Sequence, residues 1–303
     1  MIQLFKNSLY VFLGACSFGI LSTIVKTAYG AGFTLHDVMG GQYGVGWTIM
    51  LILMLIFSRK RVSIKSFIRL SGVGACTFLT GVFYYFSLQS LPASIAIILL
   101  FQFTWIGVVI ESIVTRKWPS KATTWSIILL LIGTILAGGI ISGDDIQLNV
   151  TGVLLGLGAA LMMALFVFFS GRVETDLPLI TRSFFISTGS FALMLIMVTP
   201  GKFIEISINQ ELWSYGLILG VFGAVLPVLL FGLGAPKLSP GLASILSAGE
   251  LPVAVTASVI ILHEQVTPVQ WAGVIVILLG IAYPQVYDYA ASKLSNKIAT
   301  SKH

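Results

Sequence analysis

Apolar positions along this chain form long continuous runs separated by short polar segments, with neither strand-like alternation nor the narrow stripe of a soluble amphipathic helix. The runs are too long for strands and lack a period of two. Each approaches the ~20 residues that a helix needs to cross a bilayer. The pattern predicts ten helices, near residues 8–28, 37–57, 67–88, 92–114, 121–141, 151–171, 178–199, 213–235, 240–262 and 268–287. Pro92, Pro178, Pro240 and Pro268 stand at predicted helix starts. The first turn has unpaired N–H groups anyway, so a missing one costs nothing there. The longest connections are Ser142–Val150 and Pro200–Leu212, and no linker or low-complexity tract suggests a soluble domain. The first run, Leu9–Val25, follows Lys6 but lacks an A-x-A cleavage pattern, so it is read as a retained helix.

Composition agrees with this pattern. Of 303 residues, 57% are hydrophobic and 9% charged, and the mean hydropathy of +1.00 leaves too little polar surface to cover a soluble fold. Disorder is excluded because it requires low hydrophobicity. The net charge is +6, yet the cations form short clusters between apolar runs without a basic stripe, which argues against a nucleic-acid partner. Their placement reads instead as orientation. With a cytoplasmic N-terminus, all of the 17 Lys and Arg except Lys26 and Lys202 fall on the inner side. The outer side carries Asp144, Asp145, Glu205, Glu211 and Glu264. Both termini are then cytoplasmic, the bilayer is the plasma membrane, and residues 289–303 form a basic cytoplasmic tail. Cys16 and Cys76 lie inside apolar runs and offer neither a disulfide framework nor metal spacing.

The two halves resemble each other. Leu91–Gly133 aligns with Leu238–Gly280 at a constant numbering offset of 147. The alignment pairs Ala96 with Ala243, Leu99 with Leu246, Val108 with Val255 and Ile113 with Ile260. Five runs per half is an odd number, so the halves cross the membrane in opposite senses. Such inverted repeats are a common transporter architecture. The expected fold is therefore an all-α integral membrane protein of ten transmembrane helices in two inverted five-helix repeats, 1–141 and 142–288.

Tyr84-Tyr85-Phe86-Ser87-Leu88, followed by Leu91-Pro92-Ala93-Ser94-Ile95-Ala96, is similar to the helix three–four junction of EamA-type members of the drug/metabolite transporter superfamily. Ala243-Ser244-Ile245-Leu246-Ser247, Glu250-Leu251-Pro252, Leu262-His263-Glu264 and Trp271-Ala272-Gly273 resemble that family's helix nine–ten region. The resemblance covers about residues 8–287. It departs where Leu251 separates Glu250 from Pro252 and where Thr115-Arg116-Lys117 ends helix four. It implies secondary active transport of a small organic solute, an amino acid or metabolite, by alternating access. Outward transport and proton coupling remain options. Helices three, four, eight and nine are the expected cavity walls, partly on this resemblance.

Glu250 is the most informative residue, because it sits midway along the ninth run. A charge at that depth costs about 2.5–3.5 kcal/mol on insertion scales, so it should face a cavity or a partner. It is the candidate for proton coupling or for binding a substrate amine, against the alternative of a structural carboxyl bonded to a neighbouring helix. Gln102, Trp47, Ser247, Trp105 and Tyr84 complete the candidate binding set, each weighed against plain packing or an interfacial aromatic belt. Glu111 is expected to pair with Arg116, Lys117 or Arg69; Lys26, Arg69 and Arg182 read as interfacial cations. His263-Glu264-Gln265-Val266-Thr267 begins like a zinc-protease motif but has Thr267 in place of the second histidine. No metal or cofactor is expected, and an enzyme is disfavoured. A passive channel or facilitator remains the main alternative to a carrier.

Overall fold

The computed structural model describes residues 2–58, 60, 62–91, 93–138 and 149–300. Arg59, Arg61, Asp144, Asp145, Lys302, Pro92 and the last residues of the predicted fifth helix lie outside the described residues. The described chain is helical throughout: α1 (Ile2–Gly30), α2 (Leu35–Phe57), α3 (Ile64–Ser90), α4 (Ala93–Phe101), α5 (Phe103–Thr115), α6 (Lys121–Ala137), α7 (Val150–Ser170), α8 (Leu179–Val198), α9 (Pro200–Ile208), α10 (Gln210–Gly220), a π-helical turn (Val221–Val225), α11 (Leu226–Gly234), α12 (Pro240–Ser247), α13 (Glu250–Leu262) and α14 (Pro268–Thr300). Nine helical stretches among the described residues are long and apolar enough to cross a membrane. Lys121–Ala137 is apolar but shorter. This is a multi-pass membrane protein. In a bilayer only internally satisfied backbone is tolerated, and the helix satisfies it within each segment.

The polar punctuation fixes the helix ends. Thr34 and Asp37 form a reciprocal capping box at the start of α2, with Asp37 N donating to Thr34 Oγ1 and Thr34 N to Asp37 Oδ2. Ser63, Ser120, Asn149 and Ser239 cap later helices through their side chains.

Three runs expected to be single helices are interrupted. The fourth breaks at Gln102 and the ninth at Ala248–Gly249. At each break the backbone tightens to an i−3 hydrogen bond, Gln102 N to Leu99 O and Gly249 N to Leu246 O, both 3.2 Å. The eighth run carries the π-helical turn just before Pro227. Pro227 has no N–H to donate back to Gly223, so the regular ladder cannot continue through this point. The offset of 147 recurs in these details. It relates the two breaks, the equal-length helices α5 and α13, and their left-handed C-caps Arg116 and His263, both at φ 54°. It also relates the N-caps Ser120 and Thr267, whose hydroxyls accept from Thr123 N and Gln270 N.

Packing joins α3 to α7 and α8, α1 to α11 and α13, α2 to α10, α5 to α12, and α6 to α14. Small residues let these backbones approach. A β-carbon on Gly74 would strike Ile186 O, and one on Gly189 would strike Ser71 O, so α3 and α8 meet through glycine on both sides. The core contains Phe101, Phe103, Phe166 and Phe231, while Ile113, Trp125, Ile132 and Ile196 point outward, as a lipid-facing surface requires.

Candidate functional site

An internal chamber of about 90 Å³ lies where α1, α2, α3, α4, α7, the π-helical turn and α13 converge. Its wall includes Phe18 and Ser22 from α1, Gln42 and Tyr43 from α2, Thr77, Thr80, Tyr84 and Tyr85 from α3, Phe101 from α4, and Glu250 from α13. A larger vestibule of about 600 Å³ adjoins it. Ser22, Tyr84, Tyr85, Ile97 and Ala254 line both spaces, so this layer divides the chamber from the vestibule. At its outer part the vestibule is lined by Lys26, Tyr29, Gln89, Glu264 and Gln270.

Glu250 reaches the chamber because the ninth run breaks immediately before it. It is the first residue of α13, and α1 packs against the break. Cys16 Sγ donates to Gly249 O at 3.7 Å, and a β-carbon on Gly19 would collide with Glu250 O. Among the described residues, no hydrogen bond or ion pair reaches the Glu250 carboxyl group. Gln42, across the chamber, is buried and its Oε1 has no partner. Tyr43 OH donates to Thr77 O at 3.3 Å. Thr80 gives its hydroxyl proton to Cys76 O, leaving its oxygen as an acceptor, whereas the Thr77 hydroxyl is engaged with both Gly74 O and Ser190 Oγ.

The other residues singled out from the sequence sit elsewhere. Gln102 is turned onto its own helix: Nε2 donates to Ile98 O at 2.9 Å and Oε1 accepts from Trp105 Nε1 at 2.7 Å. Trp105 is more than a third exposed, and neither residue lines the two spaces. Trp47 stacks on Phe191 with centroids 4.6 Å apart and donates to Thr188 Oγ1. Ser247 is fully buried and bonds Ala243 O. Tyr84 and Tyr85 stand in the chamber wall because α3 runs on to Ser90, so no surface-belt explanation applies to them. All four expected wall helices contribute, through α3, α4, the π-helical turn and α13, and α1, α2 and α7 join them. Ser22, Thr77 and Thr80 had no sequence signal, because Ser and Thr in apolar helices ordinarily bond their own backbone.

Two charged residues also depart from the sequence reading. Glu111 Oε2 accepts from Gly241 N at 2.7 Å, so it ties α5 to the start of α12 instead of pairing with a cation. Arg182 is buried at 2% exposure, not interfacial. Its guanidinium donates to the carbonyls of Val173, Ser170 and Gly232. Arg69 pairs with Glu174 at 3.1 Å. The two cations that sequence sorting leaves outside both meet acids: Lys26 with Glu264 at 2.7 Å, and Lys202 with Glu205 and Asp37. Among the described residues no group of three His, Cys, Asp or Glu is placed to hold a metal ion.

The Lys26 hydrogen bond, opposed by partial burial and reinforced by the Lys26 charge and by Ser258, holds Glu264 below its ordinary value of 4.5. A depressed carboxylate contributes stability above its unfolded value and loses it as pH falls through the folded one. Lys26→Met is therefore expected to weaken the fold slightly at neutral pH and to leave stability unchanged well below pH 4. Both partners are well exposed, so the difference is about 0.2–1 kcal/mol, readable as a thermal midpoint against pH. A loss of equal size at acid and neutral pH would show that packing of the Lys26 stem, not its charge, is responsible.

Interrupted helices meeting at a partly buried carboxyl, beside a wide vestibule, mark the candidate site of a multi-pass membrane protein. The EamA-like transporter family model matches residues 150–283. The resemblance to EamA-type transporters of the drug/metabolite transporter superfamily is thus borne out on the second half of the chain. A solved structure described as "Crystal structure of protein" has a TM-score of 0.73 at 16% identity, covering 91% of this chain and 97% of that one. At that identity the likeness concerns the fold. No curated protein matches the sequence.

Proposed function

We propose that this chain is a secondary active transporter that moves a small organic solute through the Glu250 chamber by alternating access, with ten spans arranged as inverted repeats 1–141 and 142–288. The carrying observation is the position of Glu250: a carboxyl with no hydrogen-bond or ion-pair partner among the described residues, at a helix break, facing a chamber that adjoins a wide vestibule. Lys121–Ala137 serves as the fifth span in this reading. Residues 289–303 are the basic tail, both termini are cytoplasmic, and the vestibule opens outward across the plasma membrane.

The repeat details support alternating access. On the side away from the vestibule, α5 packs on α12. Gly107 lies so close to Ser244 that a β-carbon would overlap it, and Glu111 holds Gly241 N. The offset of 147 maps Gly107 onto Ala254 and Ser244 onto Ile97. Ala254 and Ile97 stand in the layer between chamber and vestibule. Exchanging the two repeats' conformations would close α4 on α13 and part α5 from α12, so the site would open to the opposite side. Proton coupling, which Glu250 could serve, is part of the proposal.

The test is counterflow in vesicles reconstituted with the purified full chain, using a solute found by thermal-shift screening of amino acids, amines and metabolites. A carrier shows uptake of labelled solute stimulated by unlabelled solute on the far side, and a channel does not. Glu250→Gln is expected to remove that stimulation while the variant still folds. Wild-type-like counterflow in Glu250→Gln would take Glu250 out of the translocation step.

A further inference from the structure

We propose that the chamber selects an organic monocation, an amine with an aromatic or aliphatic body, in preference to a zwitterionic amino acid or a carboxylate. This rests on the reading of the chamber as the substrate site and names its ligand class.

The charge inventory of the route is short. Among the described residues lining the chamber, Glu250 is the only Asp, Glu, Lys, Arg or His. Among the described residues of the vestibule wall the charged ones are Lys26 and Glu264, which pair with each other at 2.7 Å. Within the chamber a ligand carboxylate would therefore find no cation among the described residues, and Lys26 in the vestibule already has the Glu264 carboxylate beside it. It would also be brought close to the Glu250 carboxyl in surroundings where charges are poorly screened. A ligand ammonium meets the opposite situation, because no donor among the described residues engages the Glu250 carboxyl.

Hydrogen-bonding capacity points the same way. The Gln42 carboxamide oxygen is buried without a partner. The Thr80 and Tyr43 hydroxyl protons are already given to Cys76 O and Thr77 O, and the Thr77 hydroxyl is engaged with both Gly74 O and Ser190 Oγ. Thr80 and Tyr43 thus retain acceptor capacity, which suits a ligand rich in N–H donors, while the Gln42 amide has both acceptor and donor atoms. The rings of Phe18, Tyr43, Tyr84, Tyr85 and Phe101 enclose the same space. Aromatic faces attract cations, and their apolar edges accommodate a hydrocarbon body. The Tyr84 and Tyr85 hydroxyls could donate to a zwitterion's carboxylate, but they supply no balancing charge.

The decisive series keeps one aromatic body and varies only its charge: 2-phenylethylamine, L-phenylalanine and 3-phenylpropionate at neutral pH. Binding to the detergent-purified full chain is followed by titration calorimetry, and counterflow of each labelled compound is followed in vesicles. The expected order is amine above zwitterion above anion, with the amine about tenfold or more tighter than the zwitterion. That preference should collapse in Glu250→Gln and persist in Glu250→Asp. Equal or tighter binding of phenylalanine or phenylpropionate overturns the proposal, as does undetectable binding of the amine. Because the series is read first on the wild-type chain, a Glu250 variant that fails to fold leaves it decisive. Amine binding without trans-stimulated counterflow upholds the ligand class while refuting transport. Counterflow restricted to the zwitterion or anion refutes the ligand class while upholding transport.

Discussion

Arg182→Met is expected to lower the stability of the purified protein by about 3 kcal/mol or more, read as a marked fall in thermal midpoint. The guanidinium belongs to α8 but serves other helices. It donates to Ser170 O at the C-terminal end of α7, to Val173 O in the turn that follows, and to Gly232 O on α11. Carbonyls at a helix end lack intrahelical donors, and the helix dipole there favours a cation. Methionine fills the stem volume but leaves these carbonyls buried without donors, which is the costly half of removing a hydrogen bond. Arg182→Lys should recover only part of the loss, because an ammonium cannot spread donors across a planar fork. A midpoint indistinguishable from wild type for Arg182→Met would mean that water or another donor takes over, and the clamp assignment would fall.

Gly107→Val should shift the protein away from the conformation described above. The glycine lets α5 lie against α12, and any β-carbon there overlaps Ser244 Oγ and comes within 2.8 Å of Ser244 Cβ. Overpacking of this kind costs about 1–3 kcal/mol. In a protein with two accessible conformations that penalty falls on the one with the tight contact, moving their ratio about tenfold or more. The readout is labelling of Ser258→Cys, in the vestibule wall, by a membrane-impermeant maleimide in a chain with Cys16 and Cys76 replaced by serine. Alternating access predicts slower labelling when Gly107→Val is added, since parting α5 from α12 closes α4 on α13. Unchanged labelling with a lowered thermal midpoint would show Gly107 to be a packing residue alone.

Much of this architecture is legible along the chain because a bilayer imposes a local rule. Each crossing segment must be long, apolar and self-satisfied in its hydrogen bonds, so the runs reveal the helices before any contact is known. Glu250 is conspicuous for the same reason, as a carboxyl inside such a run. The numbering offset of 147 is also visible in the sequence, although its matches are single aliphatic residues. Their meaning becomes concrete only when the same offset relates two helix breaks and two left-handed caps.

The chamber's composition is not legible in this way. Gln42 and Gln102 are both polar residues inside apolar runs. One lines the chamber with its carbonyl unpartnered, whereas the other is absorbed by Ile98 O and Trp105. Trp47 and Tyr84 are both aromatic. One stacks on Phe191, and the other forms part of the wall between chamber and vestibule. Glu111 looks like an ion-pair candidate and Arg182 like an interfacial cation, yet both bind backbone groups on other segments. Sequence by itself determined the helices, their membrane setting and the depth of one carboxyl, since these follow from hydropathy accumulated over a single segment. Only the tertiary structure decided which side chains share a cavity. That depends on the rotation of each helix about its axis and on where it breaks, and both are set by contacts with helices far away in the chain.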